Sequence, residues 1–390
     1  MEEFEEKELE YVDNEEITND EESIGLSRYQ INSYSVDRSI ETLIKWKENK
    51  KLIVPDFQRD YVWSYGNSCR FIDSILLSLP IPNIFVFKII KNNQEEYLLV
   101  DGMQRITTIE QFKNGQWKQG DKDKEFKIDL KNSNWHGKTY KDLDETDKQF
   151  FLDYPLSMMI FETTGTNKHE ISNSIFSVFE RINTGSEKLS DQEIRNAVYE
   201  GKCLFSIKEK CRENSFEYLV RKDKSFSRRG KNIEFFIRLL TYSLIYEKQK
   251  NNSKYLVENV EDSKITKSKR NMLNCYLFYS NNSCIDCEKE IDKVLKACNA
   301  IYEFDDSSFY NIKRNDSEVG TRVHEVFAEA LVIAVINNNY SIDISKVKFN
   351  DIKLELWRNK QSFYELFTEN TTDPVSVEKR AKYLLDIIKG

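Results

Sequence analysis

Residues 84–112 read IFVFKIIKNNQEEYLLVDGMQRITTIEQF. Two β-rich runs, Ile84 to Ile90 and Tyr97 to Val100, are joined through Asn92-Asn93, a pair that accepts tight-turn geometry, so the stretch predicts a hairpin. Asp101-Gly102 then stops the second strand, and the apolar spacing from Gln104 to Phe112 is helical. A hairpin running through a sharp corner into a helix is the signature of a mixed α/β unit.

The same alternation continues on both sides. Upstream, Ile40, Leu43 and Ile44 predict a helix starting near Asp37, Leu52 to Val54 a short strand ended by Pro55, and Ser68 to Leu79 a helix broken by Pro80 and Pro82. Downstream, Leu156 to Phe161 reads as a strand and Glu170 to Ile182 as an amphipathic helix, capped by Asn183-Thr184-Gly185. Beyond about residue 200 nearly every apolar pattern has helical period: Phe235 to Tyr246, Asn271 to Tyr279, Cys287 to Tyr302, Arg322 to Ile336 and Val377 to Ile388. The expected class is α+β, with an α/β domain at 25–200 and an all-helical domain at 201–390.

Residues 1–24 stand apart. Of a net charge of -8 over 390 residues, -11 falls in the first 22, which hold 12 acidic groups and one Lys, so the rest of the chain carries +3. That block predicts a solvated, disordered tail. With 39% hydrophobic residues, 24 Phe and 20 Tyr, the remainder has ample material for cores. No apolar run reaches the roughly 20 residues of a membrane helix, and the acidic start is unlike a secretion signal, so a cytoplasmic protein without membrane partners is expected. Seven cysteines without a framework pattern suit reduced thiols.

Three polar clusters sit where elements end. The first, Pro55 to Trp63, offers Arg59, a fork-shaped cation suited to phosphate; pairing with a surface carboxylate explains it equally well. The second is Asp101-Gly102-Met103-Gln104-Arg105. It sets a carboxylate at a strand end, then Gln and Arg in the first turn of a helix whose free N–H groups favour anions. Asp101 suits a Mg²⁺ ion or an attacking water, Gln104 the orientation of that water, and Arg105 developing charge; an ordinary Asp-Gly turn is the plain alternative. The third runs from Phe179 to Asn196, where Asn183 and Gly185 also serve as a helix C-cap.

Their order is what gives them meaning. VPDFQRDYVW at 54–63, IDSILLSLPIP at 72–82, DGMQRITTI at 101–109 and FERINTGSEKLSDQEIRNA at 179–197 together resemble the GmrSD N-terminal domain family, a ParB/sulfiredoxin-like domain of type IV restriction systems. The resemblance covers residues 35–200, and more loosely Arg228-Arg229 through Glu234 and Arg238. It implies a Mg²⁺-dependent nucleoside triphosphatase that couples nucleotide use to restriction of foreign or modified DNA in bacteria. Asp101, Gln104 and Arg105 would then be catalytic, and Gln58, Arg59, Gly102, Arg181 and Asn183 nucleotide-binding. Met103 stands where the family usually has Gln, which puts nucleotide preference in doubt.

Longer family members cut DNA with a second, His-Asn-His domain. This chain has three histidines, with only His324 in the helical half, so cleavage is expected from a separate nuclease subunit. Cys275, Cys284, Cys287 and Cys298 lie close in sequence, but Cys287 and Cys298 share a stripe with Ile291, Val294 and Ile301, which favours core packing over zinc. There is no P-loop glycine pattern. For DNA contact the candidates are Arg221, Lys222, Lys224, Arg228, Arg229 and Lys231, with Phe226 interleaved, and a second patch at Lys264, Lys267, Lys269 and Arg270; a solvated loop is the alternative for each. The competing functional class is a non-catalytic, nucleotide-switched DNA-binding or regulatory module. Oligomeric state is open.

Overall fold

The computed structural model describes residues 31–54, 61–91, 94–163, 168–182, 190–212, 214–226, 228–250, 268–282, 284–312, 319–343, 348–358, 367 and 371–389. The acidic tail, Gln58, Arg59, the Asn92-Asn93 turn, the Asn183–Gly185 cap, Lys264 and Lys267 lie outside them. The chain divides into two compact units, Arg28–Val198 and a second containing Tyr199–Gly390.

In chain order the first unit holds β1 (Ile31–Ser39), α1 (Ile40–Glu48), β2 (Leu52–Ile53), α2 (Tyr65–Leu76), β3 (Ile84–Lys91), β4 (Gln94–Asp101), α3 (Met103–Asn114), β5 (Gln116–Gln119), β6 (Lys122–Glu125), α4 (Glu145–Asp153), β7 (Pro155–Thr163), α5 (Lys168–Ile182) and α6 (Asp191–Val198). Five strands form a mixed sheet in the order β1-β7-β3-β4-β2. β3 and β4 are the antiparallel hairpin at its centre, β2 runs parallel to β4, and β3 parallel to β7. Helices α1 to α4 bury their apolar sides against Val86, Leu99, Met158 and Ile160 on one face. Phe87 and Leu98, on the opposite face by strand alternation, are buried too, and α5 packs against β4.

Helix starts follow their caps. Ser39, not Asp37, caps α1 by accepting from Thr42 N, and Ser64 caps α2 through Asn67 N, four residues before the expected start. β1 was not expected from sequence. Its run INSYSVDRS is mostly polar, yet it pairs residue for residue with β7 from Ile31↔Thr163 to Ser39↔Pro155.

The second unit contains α7 (Lys202–Lys210), α8 (Ser215–Val220), α9 (Lys231–Lys250), α10 (Lys269–Asn281), α11 (Cys287–Phe304), β8 (Tyr310–Ile312), β9 (Val319–Val323), α12 (Glu325–Asn337), α13 (Phe349–Arg358) and α14 (Pro374–Lys389). It is helical but not all-helical: β8 and β9 pair antiparallel. The helix expected from Arg322 therefore starts at Glu325, because Val319–Val323 is strand and His324 is the cap, its Nδ1 accepting from Phe327 N.

α12 is the axis of this unit, buried on all sides and packed by α9, α11 and α14. Its Glu329 is fully buried and takes Arg238 Nε at 2.6 Å and Arg380 Nη2 at 3.2 Å, while Glu325 receives Arg238 Nη1 at 3.4 Å. Neutralisation from two flanking helices is what permits carboxylates at this depth.

The cysteines correct the expectation of reduced thiols. α7 and α11 bring Cys203 and Cys287 to a Cα separation of 5.7 Å, and the two form a disulfide. Ile291, Val294, Cys298 and Ile301 continue the expected buried stripe, and Cys275 is buried in α10. No helix among the described residues is long and apolar enough to cross a membrane.

Candidate functional site

β4 delivers Asp101 to the edge of the sheet, and the chain turns into α3 through Gly102. Gly102 has φ 113°, and a Cβ there would meet Ile84 Cγ2 at 2.6 Å, so both conformation and space demand glycine. The first intrahelical bond of α3 is Ile106 N to Gly102 O at 3.0 Å, and Gly102 supplies no side-chain cap. The amides of Met103, Gln104 and Arg105 therefore lack intrahelical acceptors, at the positive end of the helix dipole.

Arg105 folds back across this corner. Its Nη2 pairs with Asp101 Oδ2 at 2.5 Å, and Nη1 donates to Pro82 O at 2.7 Å and Asn83 O at 2.9 Å. The guanidinium side chain is 11% exposed against 42% for the Asp101 side chain. Of the two, only Asp101 faces solvent to a large extent. Among the described residues Asp101 Oδ1 has no hydrogen-bond partner, so one carboxylate oxygen is fixed and the other is available.

Gln104 reaches the other way. Its Oε1 accepts from Val62 N at 3.0 Å and Trp63 N at 3.2 Å, pinning the chain that emerges from the first motif onto α3. One residue earlier, the buried hydroxyl of Tyr61 shares hydrogen bonds of 2.6 Å with Ser68 Oγ and Thr108 Oγ1. Thr108 in turn donates to Gln104 O at 2.6 Å, and Trp117 Nε1 donates to Ser68 Oγ at 3.0 Å. Desolvation raises the Tyr61 phenol pKa, keeping it protonated as a donor. First and second motifs are thus bolted together by a polar network that sequence reading missed. Isolated Ser, Thr and Tyr in apolar segments carry no sequence signal of mutual contact.

In the third motif, Arg181 is exposed at the end of α5. α6 opens with a reciprocal cap, Ser190 N donating to Glu193 Oε2 at 2.6 Å and Glu193 N to Ser190 Oγ at 3.3 Å. Arg195 is 1% exposed, 3.4 Å from Gln192 Oε1 and 3.8 Å from Asp191 Oδ2.

In the second unit, the basic run is an ordered turn. Asp223 Oδ1 accepts from Ser225 N at 3.0 Å and Ser225 Oγ at 2.7 Å, and its Oδ2 accepts from Val323 N at 2.9 Å. Arg229 and Gly230 take positive φ values of 52° and 72°. Arg221, Lys222, Lys224, Arg228, Arg229 and Lys231 are all exposed; Lys231 pairs with Glu325 at 3.2 Å. Phe226, interleaved among them, is 2% exposed and packs edge-on against Phe235, so it serves the core. In the second patch, Lys269 pairs with Glu234 at 3.0 Å.

His324 is half-buried, and desolvation together with the Lys353 charge lowers its pKa to about 4. It is a neutral cap within the bundle. Cys284 is exposed, Cys287 is bonded to Cys203, and among the described residues no three His, Cys, Asp or Glu side chains cluster as a metal site.

Residues 40–200 match the family described as the GmrSD restriction endonuclease, N-terminal domain. That segment is a GmrSD N-terminal domain. Its span takes in α1 through α6 and all three clusters, so Asp101, Gln104, Arg105 and the Tyr61 network are parts of one family domain. A GmrSD-type domain ties the chain to restriction systems. No curated protein matches the chain.

Proposed function

We propose that the chain is the nucleoside-triphosphate-binding and -hydrolysing component of a cytoplasmic bacterial restriction system directed at foreign or modified phage DNA. The GmrSD domain is taken as ParB/sulfiredoxin-like in fold, and cleavage of DNA is assigned to a separate nuclease subunit. The observation that carries the reading is the corner at Asp101: a carboxylate with one oxygen held by Arg105, beside the open amides of α3, within the family's domain.

The donor set there fits Mg²⁺, which takes one or two carboxylates and completes its shell with water and substrate phosphate oxygens. Asp101 would hold it, and the ion would neutralise phosphate charge. The α3 amides would receive phosphate oxygens. Arg105 orients Asp101, and Gln104 holds the backbone of Val62 and Trp63 against α3; Gln58 and Arg59 would add nucleotide contacts. Arg181 and Asn183 complete the nucleotide contacts, and the cations of 221–231 take DNA.

One observation favours a second reading. Both Gln104 Oε1 and the Arg105 guanidinium are engaged in holding loops, which suits a nucleotide-switched, non-catalytic DNA-binding module. Calorimetric titration of each nucleoside triphosphate with Mg²⁺, alongside phosphate release with and without DNA, separates the two. Binding with turnover supports the hydrolase; binding without turnover supports the switch; no binding removes both.

A further inference from the structure

Tyr218, at the end of α8, is 39% exposed. Its ring stacks on Tyr302 of α11 at a centroid distance of 5.4 Å and an interplanar angle of 27°. The Arg221 guanidinium lies 4.8 Å from the same ring centroid. Three planar groups therefore cluster where α8 runs into the basic turn. They are fixed there by backbone: Arg221 N donates to Glu217 O at 2.9 Å, Lys222 N to Tyr310 Oη at 3.1 Å, and Tyr310 Oη to Tyr218 O at 3.4 Å.

The six exposed cations of the turn would attract phosphates whatever the sequence or strandedness of the DNA. The planar cluster adds something that charge does not. In a duplex the π faces of the bases are hidden in the stack, whereas an unpaired base can lay its face on an aromatic ring or a guanidinium plane. Phe226, the turn's own aromatic residue, is buried and offers no such face. Asp306 lies 3.9 Å from Lys222 Nζ and so is partly neutralised.

We propose that Tyr302, Tyr218 and Arg221 form a stacking platform for unpaired DNA bases, so that this surface prefers single-stranded to duplex DNA. The proposal rests on the reading of residues 221–231 as a DNA-binding surface.

The test is fluorescence anisotropy of the full chain with a labelled oligothymidylate and with a duplex of equal length, at the same salt concentration. The parent should bind the single strand more tightly. Tyr218→Ala should weaken single-strand binding about tenfold, given roughly 1–3 kcal/mol per stacked base and 1.4 kcal/mol per decade, and leave duplex binding unchanged. Tyr218→Phe should retain single-strand affinity, because stacking needs the ring and not the hydroxyl. Arg221→Gln should weaken the single strand more than the duplex. The Tyr218 carbonyl bond to Tyr310 survives in each Tyr218 variant, and matching thermal melts establish that the fold does too. Equal affinities of parent and Tyr218→Ala for the single strand, or equal losses on both DNAs, would overturn the platform while leaving the basic surface standing. Failure of the parent to bind either DNA would remove the DNA surface itself.

Discussion

Asp101 and Arg105 are one i,i+4 pair with unequal jobs. Removing the Asp101 carboxylate by Asp101→Ala takes away an exposed group and should leave the melting temperature close to that of the parent. Arg105→Ala strips three hydrogen bonds from a largely buried guanidinium and leaves the Pro82 and Asn83 carbonyls without their donor, so it should cost about 2 kcal/mol of stability. Thermal melts compare them directly, and equal melting temperatures would deny Arg105 its structural role.

His324 gives a pH-dependent case. Its pKa is about 4 in the folded chain against 6.5 ordinarily, so between those values the unfolded chain binds a proton that the folded chain does not. Stability should be full above pH 6.5 and fall as pH drops toward 4, by about 3 kcal/mol in total. His324→Asn keeps a competent cap and should flatten that limb of the stability profile. An unchanged slope in the variant would assign the acid sensitivity to other groups.

At the scale of elements, the β3–β4–α3 unit was legible because period-two and period-3.6 patterns abut at Asp101-Gly102 with turn residues at both corners. β1 was not, since an edge strand with mostly polar side chains looks like loop until its partner β7 is known. Likewise the buried ion pairs of Arg238 and Arg380 leave no local trace in the sequence, because the acid that both share, Glu329, lies on another helix. The positions of Asp101, Gln104 and Arg105 were legible, whereas their partners, 20 or more residues away for the Pro82 and Val62 contacts, were not.

Covalent pairing belongs to the same scale. The Cys203–Cys287 disulfide closes an 84-residue separation and ties α7 to α11. Chain entropy puts its worth at about 5 kcal/mol at most. Cys203→Ser should lower the melting temperature of the oxidised protein and abolish the further drop that a reductant causes in the parent. A thiol titration of the denatured, unreduced chain should find five free thiols of the seven cysteines; seven would contradict the pairing.

For the whole molecule, charge is unevenly placed. Residues 1–22 carry -11 and the rest of the chain +3. A tethered acidic segment competes with DNA phosphates for basic surface at high effective concentration. Deleting residues 1–22 should tighten DNA binding, most at low salt, and steepen the dependence of log K on log salt. Identical affinities and slopes would reduce the tail to a solubility device.

Hydrolysis at the Asp101 corner is tested by phosphate release from the purified chain and from Asp101→Asn. Asn preserves the size of the side chain while removing the charge that would hold Mg²⁺. The parent should show Mg²⁺-dependent release from at least one nucleoside triphosphate, and the variant should lose that release with an unaltered melting temperature. Parental rates in Asp101→Asn, or no release by the parent with any nucleotide in the presence or absence of DNA, would contradict it.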